Sequence, residues 1–403
     1  MNFTSIALYC YLASFGLVLI FFLIDRKKKR KMKEQEKISI LIPCYNDGES
    51  IALTIKSVYD SYPSESFQLI VVNDKSTDDS FQQLQVLEKQ YGFTLIDNPQ
   101  NLWKSETLNN TSELAIYEKI LILDADVILQ KKHVHDMLAR MQTNSKVAAV
   151  SCPYTPYNKG FLSIMQDMEY VMLNLIQWSY NTFGAIALRG GCFMVKKSAF
   201  IEVGKFSAWV MTEDMDLAFK LNKAGYKVEQ SFHRVSTFVP DTIKTWFKQK
   251  VRWNSWGAHC FVKYPEIWIK NPLHMIMIIS FNLLVLSLLL QMVKSYDLFV
   301  IIFMQPNVRK AFRVVFNPRR RLNLIFVKSS FSLLSLPYVL PLLNISPFAK
   351  KWKNLWKILL IVPYSIVYVP MYSFAGITGL FKGFWDYRKL EKIWKSGKGI
   401  AWK

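Results

Sequence analysis

The sequence predicts an α/β domain on a mostly parallel sheet, with interfacial and transmembrane helices flanking it. Two observations carry that prediction. Between Lys37 and Phe238, short apolar runs rich in β-formers alternate with helical ones, the pattern of strands covered on both faces by helices. Outside that segment the apolar residues bunch at the N-terminus and again after residue 271, in runs long enough to cross a bilayer.

The first run, Phe3 to Ile24, carries no charge and is followed at once by DRKKKRKMK. A cleaved leader carries its charge before the apolar run, so residues 1–25 read as an uncleaved anchor with residues 26–36 as a basic juxtamembrane linker. The positive-inside rule then puts the following domain, 37–240, in the cytosol. Its strands are expected at 38–45, 68–74, 94–97, 119–126 and 147–152, and its helices at 50–61, 78–91, 104–116 and 131–143.

Two aromatic, partly basic stretches follow, 160–180 and 241–268. Rings mixed with Lys and Arg suit helices lying at a membrane surface. Core packing is an equal reading for the first stretch and a weaker one for the second. Interfacial helices are therefore assigned to 241–270 and a transmembrane region to 271–403. Its spans are Pro272 to Val293, Leu322 to Asn344 and Leu355 to Leu380, with Tyr296 to Met304 ambiguous.

The formal net charge of +21 raises nucleic acid as a partner, but the basic residues crowd beside the apolar spans and no binding motif accompanies them. Anionic lipid accounts for that placement, so a lipid bilayer is the expected partner and nucleic acid is not. The five cysteines show no C-x-x-C pair and fit a reducing compartment.

In such sheets ligands gather beyond the carboxyl ends of the strands. Three expected strands end in polar clusters there: CYND, NDKSTDD and DADV. Asp124 and Asp126 are spaced to serve a divalent ion, since Mg2+ and Mn2+ take oxygen ligands, commonly one or two carboxylates plus a phosphate. Alone, D-x-D is weak, because helix caps produce it often. Asp74, the pair Glu213 and Asp214 at an expected helix start, and the run Gln249 to Trp253 also have bland readings, as turn, cap and interfacial helix. His133 and His135 alternate along a helix and read as surface residues.

Taken in order, Asp74, Asp124-Ala125-Asp126, Thr212-Glu213-Asp214 and Gln249-Lys250-Val251-Arg252-Trp253 resemble the motifs of the processive membrane glycosyltransferases of family 2, the synthases of cellulose, chitin, hyaluronan and poly-N-acetylglucosamine. LIPCYND and GGCFMVKKSAF resemble further segments of that family, and the resemblance covers roughly 38–256. It implies a GT-A type nucleotide-sugar-binding domain and inverting transfer from a UDP-sugar donor, first choice UDP-N-acetylglucosamine, to a polysaccharide acceptor.

By that resemblance Asp214, beside Glu213, is the catalytic base. Asp126 and Asp124 hold Mg2+ or Mn2+, while Pro43, Tyr45, Asn46, Asp74, Lys104 and Asp124 bind the nucleotide sugar. Gln249, Arg252 and Trp253 meet the acceptor and diphosphate. A multi-pass location in the cell membrane is implied, with accessory membrane subunits left open. The departures are Asp47 for a usual Glu, and Lys75 and Trp103 for usual glycines. Two alternatives stay open: a single-addition glycosyltransferase acting on a lipid acceptor and, motivated by Lys75 and Trp103, a non-catalytic membrane scaffold or export subunit.

Overall fold

The computed structural model describes residues 3–28, 30–182, 187–207, 210, 212–266 and 364–395, with single positions 276, 279, 283 and 360. The chain divides into two compact units, residues 18–265 with 378–403, and residues 1–17 with 266–377. Apart from those single positions, the expected spans at 272–293 and 322–344, the run 296–304 and the start of 355–380 lie outside the described residues. One described helix, α1 (Phe3–Arg26), holds a stretch, Tyr9–Arg26, long and apolar enough to cross a membrane by length and composition.

The larger unit is built on a seven-stranded sheet in the order β3-β2-β1-β4-β8-β6-β9. Its strands are β1 (Ile38–Cys44), β2 (Phe67–Asn73), β3 (Thr94–Asp97), β4 (Lys119–Leu123), β6 (Val147–Ser151), β8 (Cys192–Lys196) and β9 (Lys227–Gln230). The neighbours β3-β2-β1-β4 are parallel, as are β6 and β9; β8 runs antiparallel between β4 and β6. Ile38, Ile40, Leu41 and Ile42 are fully buried, each worth about 1.5–3 kcal/mol of transfer free energy. A strand so uniformly apolar has no solvent face, which is why α2 (Ile51–Ser61), α3 (Ser80–Tyr91), α4 (Trp103–Glu113) and α5 (Lys131–Thr143) cover the sheet.

Strand and helix positions follow the expectation with small shifts at the ends. The largest is β4, expected to run to Asp126 but ending at Leu123, where the chain turns into the two-residue strand β5 (Val127–Ile128). Val127 N–H donates to the Asp124 carbonyl across that turn (3.1 Å). β5 joins β10 (Val235–Thr237) and β7 (Tyr154–Pro156) in a small second sheet at the mouth of the large one. β8 and β9, with the short β5, β7 and β10, were not anticipated: each is five residues or fewer, too short for a hydrophobic period to mark it as a strand.

The stretch 160–180 forms α6 (Phe161–Tyr180), which buries Met165, Met168, Tyr170, Leu175 and Trp178. Core packing is thus its role. Trp178 also donates its indole N–H to the Ser231 carbonyl (2.6 Å). Two short helices follow, α7 (Lys197–Glu202) and α8 (Glu213–Lys223). The stretch 241–268 forms α9 (Ile243–Lys263), capped by the Thr242 hydroxyl, which accepts from Thr245 N–H (3.2 Å). α9 buries Trp246 and Lys250 completely, so much of it packs on the domain.

α10 (Val369–Lys395) lies against α9 through Gly379 and Gly383. A Cβ at Gly383 would sit 2.3 Å from the Ser255 carbonyl oxygen, so only glycine permits this approach.

His133 and His135 require a correction. His133 is fully buried: its Nδ1 accepts from Gln130 N–H (2.9 Å), and its Nε2 lies 2.9 Å from the Arg234 carbonyl oxygen. It turns back over the start of α5 as half of a capping box, a position that helical spacing alone assigned to solvent. His135 is half-buried, edge-on to the Tyr62 ring.

Candidate active site

The parallel strands β1, β2, β3 and β4 all end at one edge of the sheet, and the antiparallel β8 begins there. Leu123 faces Cys192 in register, so Asp124 leaves β4 beside Gly190 and Gly191, which enter β8. Asp124 N–H donates to the Gly191 carbonyl (2.8 Å), and Gly191 N–H donates to the Tyr154 hydroxyl (2.5 Å). The glycines are required by crowding. A Cβ at Gly190 would come within 2.9 Å of Asp214 Oδ2, and one at Gly191 within 2.9 Å of the Tyr154 hydroxyl.

These residues open onto a cavity of about 480 Å3. Asp124, Asp126, Glu213, Asp214 and Lys104 line it, together with Gln249, Arg252 and Trp253 from α9. The last three belong on one wall because positions i, i+3 and i+4 share a helix face. Lys250, between them, points the other way. Its ammonium pairs with Glu169 (2.8 Å) and lies 4.2 Å from the Trp253 ring centroid, bracing that ring from within the protein.

Lys104 bridges two motifs. Its Nζ lies 2.7 Å from Asp124 Oδ1 and 2.9 Å from Glu213 Oε1. Burial works against its charge, but the carboxylates of Asp124 and Glu213 prevail and hold its pKa well above the ordinary lysine value. Asp126 and Asp214 have no ion pair among the described residues; Asp126 accepts from the Thr237 hydroxyl (3.2 Å) and Asp214 from Met215 N–H (2.8 Å). Burial, then the charges of Asp124 and Asp47, push Asp126 up to about 7. Burial, then Glu213, push Asp214 up to about 6. Asp124 is also raised, by burial first, against the opposing pull of Lys104. The cavity thus crowds four carboxylates, Asp124, Asp126, Glu213 and Asp214, beside three cations, Lys104, Arg189 and Arg252, and Asp126 and Asp214 stand outside any ion pair among the described residues.

The remaining expected residues sit at the same sheet edge but outside the cavity lining. Asp74 is buried, and its Oδ1 accepts from the Asn98 amide (2.7 Å) and from Leu102 N–H (2.9 Å). It thereby fixes the loop that delivers Trp103 and Lys104. Asn46 Oδ1 accepts from Thr77 N–H (2.7 Å), tying the β1 and β2 loops together. Tyr45 is exposed, and Pro43 lies within β1 opposite Val72.

Lys75 and Trp103 stand where glycine was expected, and both keep a left-handed backbone, with φ of 62° and 66°. The loops therefore hold the conformation that glycine would adopt, at some cost in strain.

Several lining residues escaped sequence reasoning: Tyr154, Tyr170, Gln177, Arg189 and Phe238. Gln177 Oε1, Gln249 Oε1 and Arg189 Nε are buried without a hydrogen-bond partner among the described residues, so polar groups from three elements converge unsatisfied on this cavity. The glycine pair before β8 was the available signal for Arg189; nothing in the sequence marked Gln177 apart from other α6 residues.

With this geometry in place, the similarity to known proteins is informative. Residues 39–204 match the family model described as Glycosyl transferase family 2. Over those residues the chain is similar to the family 2 glycosyltransferases. The poly-beta-1,6-N-acetyl-D-glucosamine synthase of Staphylococcus aureus (strain COL) is 28% identical over 244 residues, which are 60% of this chain and 59% of that protein. The synthase of the same name from Staphylococcus epidermidis (strain ATCC 35984) is 29% identical over 269 residues, 64% of this chain and 65% of its own. The chain thus spans about three-fifths of the curated relatives it matches.

Among solved structures, a mannosyltransferase from Pyrobaculum calidifontis in complex with GDP-Man and Mn2+ superposes with a TM-score of 0.60 at 16% identity, covering 96% of this chain and 99% of that one. That likeness establishes the fold, the GT-A arrangement of the glycosyltransferase domain.

Proposed function

We propose that the chain transfers a sugar from a UDP-sugar to a growing β-linked polysaccharide, with inversion, and that UDP-N-acetylglucosamine is the donor. The observation that carries this reading is the convergence of carboxylates from separate loops, Asp124, Asp126, Glu213 and Asp214, with Gln249, Arg252 and Trp253 on one cavity. The similarity to the staphylococcal synthases supports the choice of donor and product. Membrane residence, with the domain on the cytosolic side and further spans after residue 271, is part of this reading, supported by the charge placement and the apolar helix α1.

Among the described residues no group of three or more His, Cys, Asp or Glu side chains forms a closed metal cage. A Mg2+ or Mn2+ shared with a diphosphate needs only one or two carboxylates, and the raised, unpaired Asp126 beside Asp124 fits such an ion. When bound, the ion supplies positive charge to the departing diphosphate. Asp214, raised toward neutrality, takes the proton of the acceptor hydroxyl as it attacks the anomeric carbon from the side opposite the diphosphate. Lys104 and Arg252 offer charge to the phosphates, Arg252 through its planar fork. Trp253 gives the acceptor sugar an apolar face to lie on, with Gln249 Oε1 accepting a hydroxyl proton beside it.

Processive addition to a chain is part of this reading. The scaffold alternative loses its motive, because Lys75 and Trp103 retain the glycine-like backbone. The test is membrane-reconstituted protein offered radiolabelled UDP-N-acetylglucosamine with Mg2+ or Mn2+, followed by sizing of the product and digestion with linkage-specific hydrolases. A hydrolase-sensitive polymer is expected. One sugar added to a lipid would replace the polymerase reading with the single-addition one, and inertness across UDP-sugars would remove both.

A further inference from the structure

Trp103 is the cavity residue whose presence the fold does not explain. It opens α4 with φ 66°, a conformation that suits glycine and strains an L side chain, most of all a bulky one. Burial does not offset that strain, since the residue is 44% exposed. The backbone around it is fixed by its neighbours. Leu102 N–H is held by Asp74, Trp103 N–H donates to Asn101 Oδ1 (2.9 Å), and Lys104 is pinned between Asp124 and Glu213. Glycine would satisfy the same backbone without strain, so what requires an account is the indole itself.

We propose that Trp103 stacks on the glycosyl ring of the donor. The inference rests on the nucleotide-sugar reading above and names a residue that deepens it. Location favours sugar over nucleoside: Trp103 lines the cavity beside Glu213 and Asp214, where the transferred sugar must lie, whereas Tyr45 and Asp74, which the family resemblance places at the nucleoside, lie outside its lining. A hexose presents a face of C–H groups to a flat ring while its hydroxyls reach polar groups at the edges. The carboxylates and the Lys104 ammonium supply those edges here. Backbone strain of this kind clusters at ligand sites, and among the described non-glycine residues with positive φ Trp103 is the one in the cavity lining.

The experiment titrates UDP and UDP-N-acetylglucosamine, each with Mn2+, into the full-length protein in lipid nanodiscs, as wild type, Trp103→Phe and Trp103→Gly. Trp103→Gly is expected to weaken UDP-N-acetylglucosamine binding about tenfold, the loss of one aromatic contact, while leaving UDP binding unchanged. Trp103→Phe should retain most of the affinity. Thermal unfolding of Trp103→Gly should match or exceed wild type, because glycine relieves the strained φ.

Equal losses for UDP and UDP-N-acetylglucosamine would put the ring on the nucleotide and overturn the inference. So would a wild type that binds both ligands alongside an unaffected Trp103→Gly, which leaves the nucleotide-sugar reading standing. A wild type that binds neither ligand overturns that reading, and this inference with it.

Discussion

The larger unit holds two buried groups of charges that differ in balance. The first lies where α1 meets the domain. Asp25 pairs with Arg30 (2.6 Å) and Lys28 (3.3 Å), Glu229 with Arg140 (3.0 Å) and Arg30 (3.3 Å), and Asp136 with Arg140 (2.9 Å). Asn181 adds a hydrogen bond to Asp25 (2.9 Å), and Arg140 also lies 4.8 Å over the Phe232 ring. Although burial opposes its charge, Arg140 holds Asp136 below the usual carboxylate range, and every carboxylate there has a cation.

The second group is the cavity, where Lys104 serves Asp124 and Glu213, while Asp126 and Asp214 are left without an ion pair and are raised. Buried charges that the fold neutralises for itself serve the fold. Those left in excess are poised for a ligand that brings the missing charge.

The largest effect should come from the unbalanced group. Asp214→Asn is expected to cut turnover by roughly 10²- to 10⁴-fold while the protein stays folded, read as radiolabel transfer beside a thermal melt. Turnover near the wild-type rate would remove Asp214 as the base.

The balanced group should respond in the opposite way. Arg140→Met strands Asp136 and leaves Glu229 with Arg30 alone, and should cost about 3–5 kcal/mol of stability, while the fraction that remains folded keeps its turnover. Denaturant unfolding measures the first and activity per folded molecule the second. A neutral Arg140→Met would mean that the two groups are not distinct in kind.

The pH dependence sharpens the contrast. A base works deprotonated, so a carboxyl raised to about 6 loses function as pH falls through about 6, where an ordinary aspartate would persist to about 3.8. The acid limb of kcat/KM is expected near pH 6 and should move to lower pH in Glu213→Gln, since Glu213 is one of the charges that raises Asp214.

The smallest effect concerns strain outside either group. Lys75→Gly should stabilise the protein by about 1 kcal/mol, the left-handed cost less the entropy that glycine regains on unfolding. A drop in melting temperature would show that the Lys75 side chain makes up for its backbone.

The parallel half of the sheet was legible because its strands are uniformly apolar and its helices periodic. The cavity residues on D-x-D, T-E-D and Q-x-x-R-W were legible as motifs, and they do meet. β8 was not, because a run as short as Cys192 to Lys196 carries neither a period nor a mark of pairing direction, and with it went the reason for Gly190 and Gly191. The inward turn of His133 was hidden because a capping side chain bends back along its own helix, which spacing on a helical wheel does not encode. Asp74 was expected at the nucleotide; its hold on Asn98 and the Leu102 backbone depends on a loop conformation that no local sequence pattern specifies.

The measurement closest to the central claim is UDP binding by calorimetry, with and without Mn2+, to wild type and Asp126→Asn. If the excess negative charge is a seat for a cation shared with a diphosphate, Mn2+ tightens wild-type binding by about tenfold or more, and Asp126→Asn erases the difference. Binding indifferent to Mn2+ in the wild type, or equally sensitive in Asp126→Asn, would contradict the account.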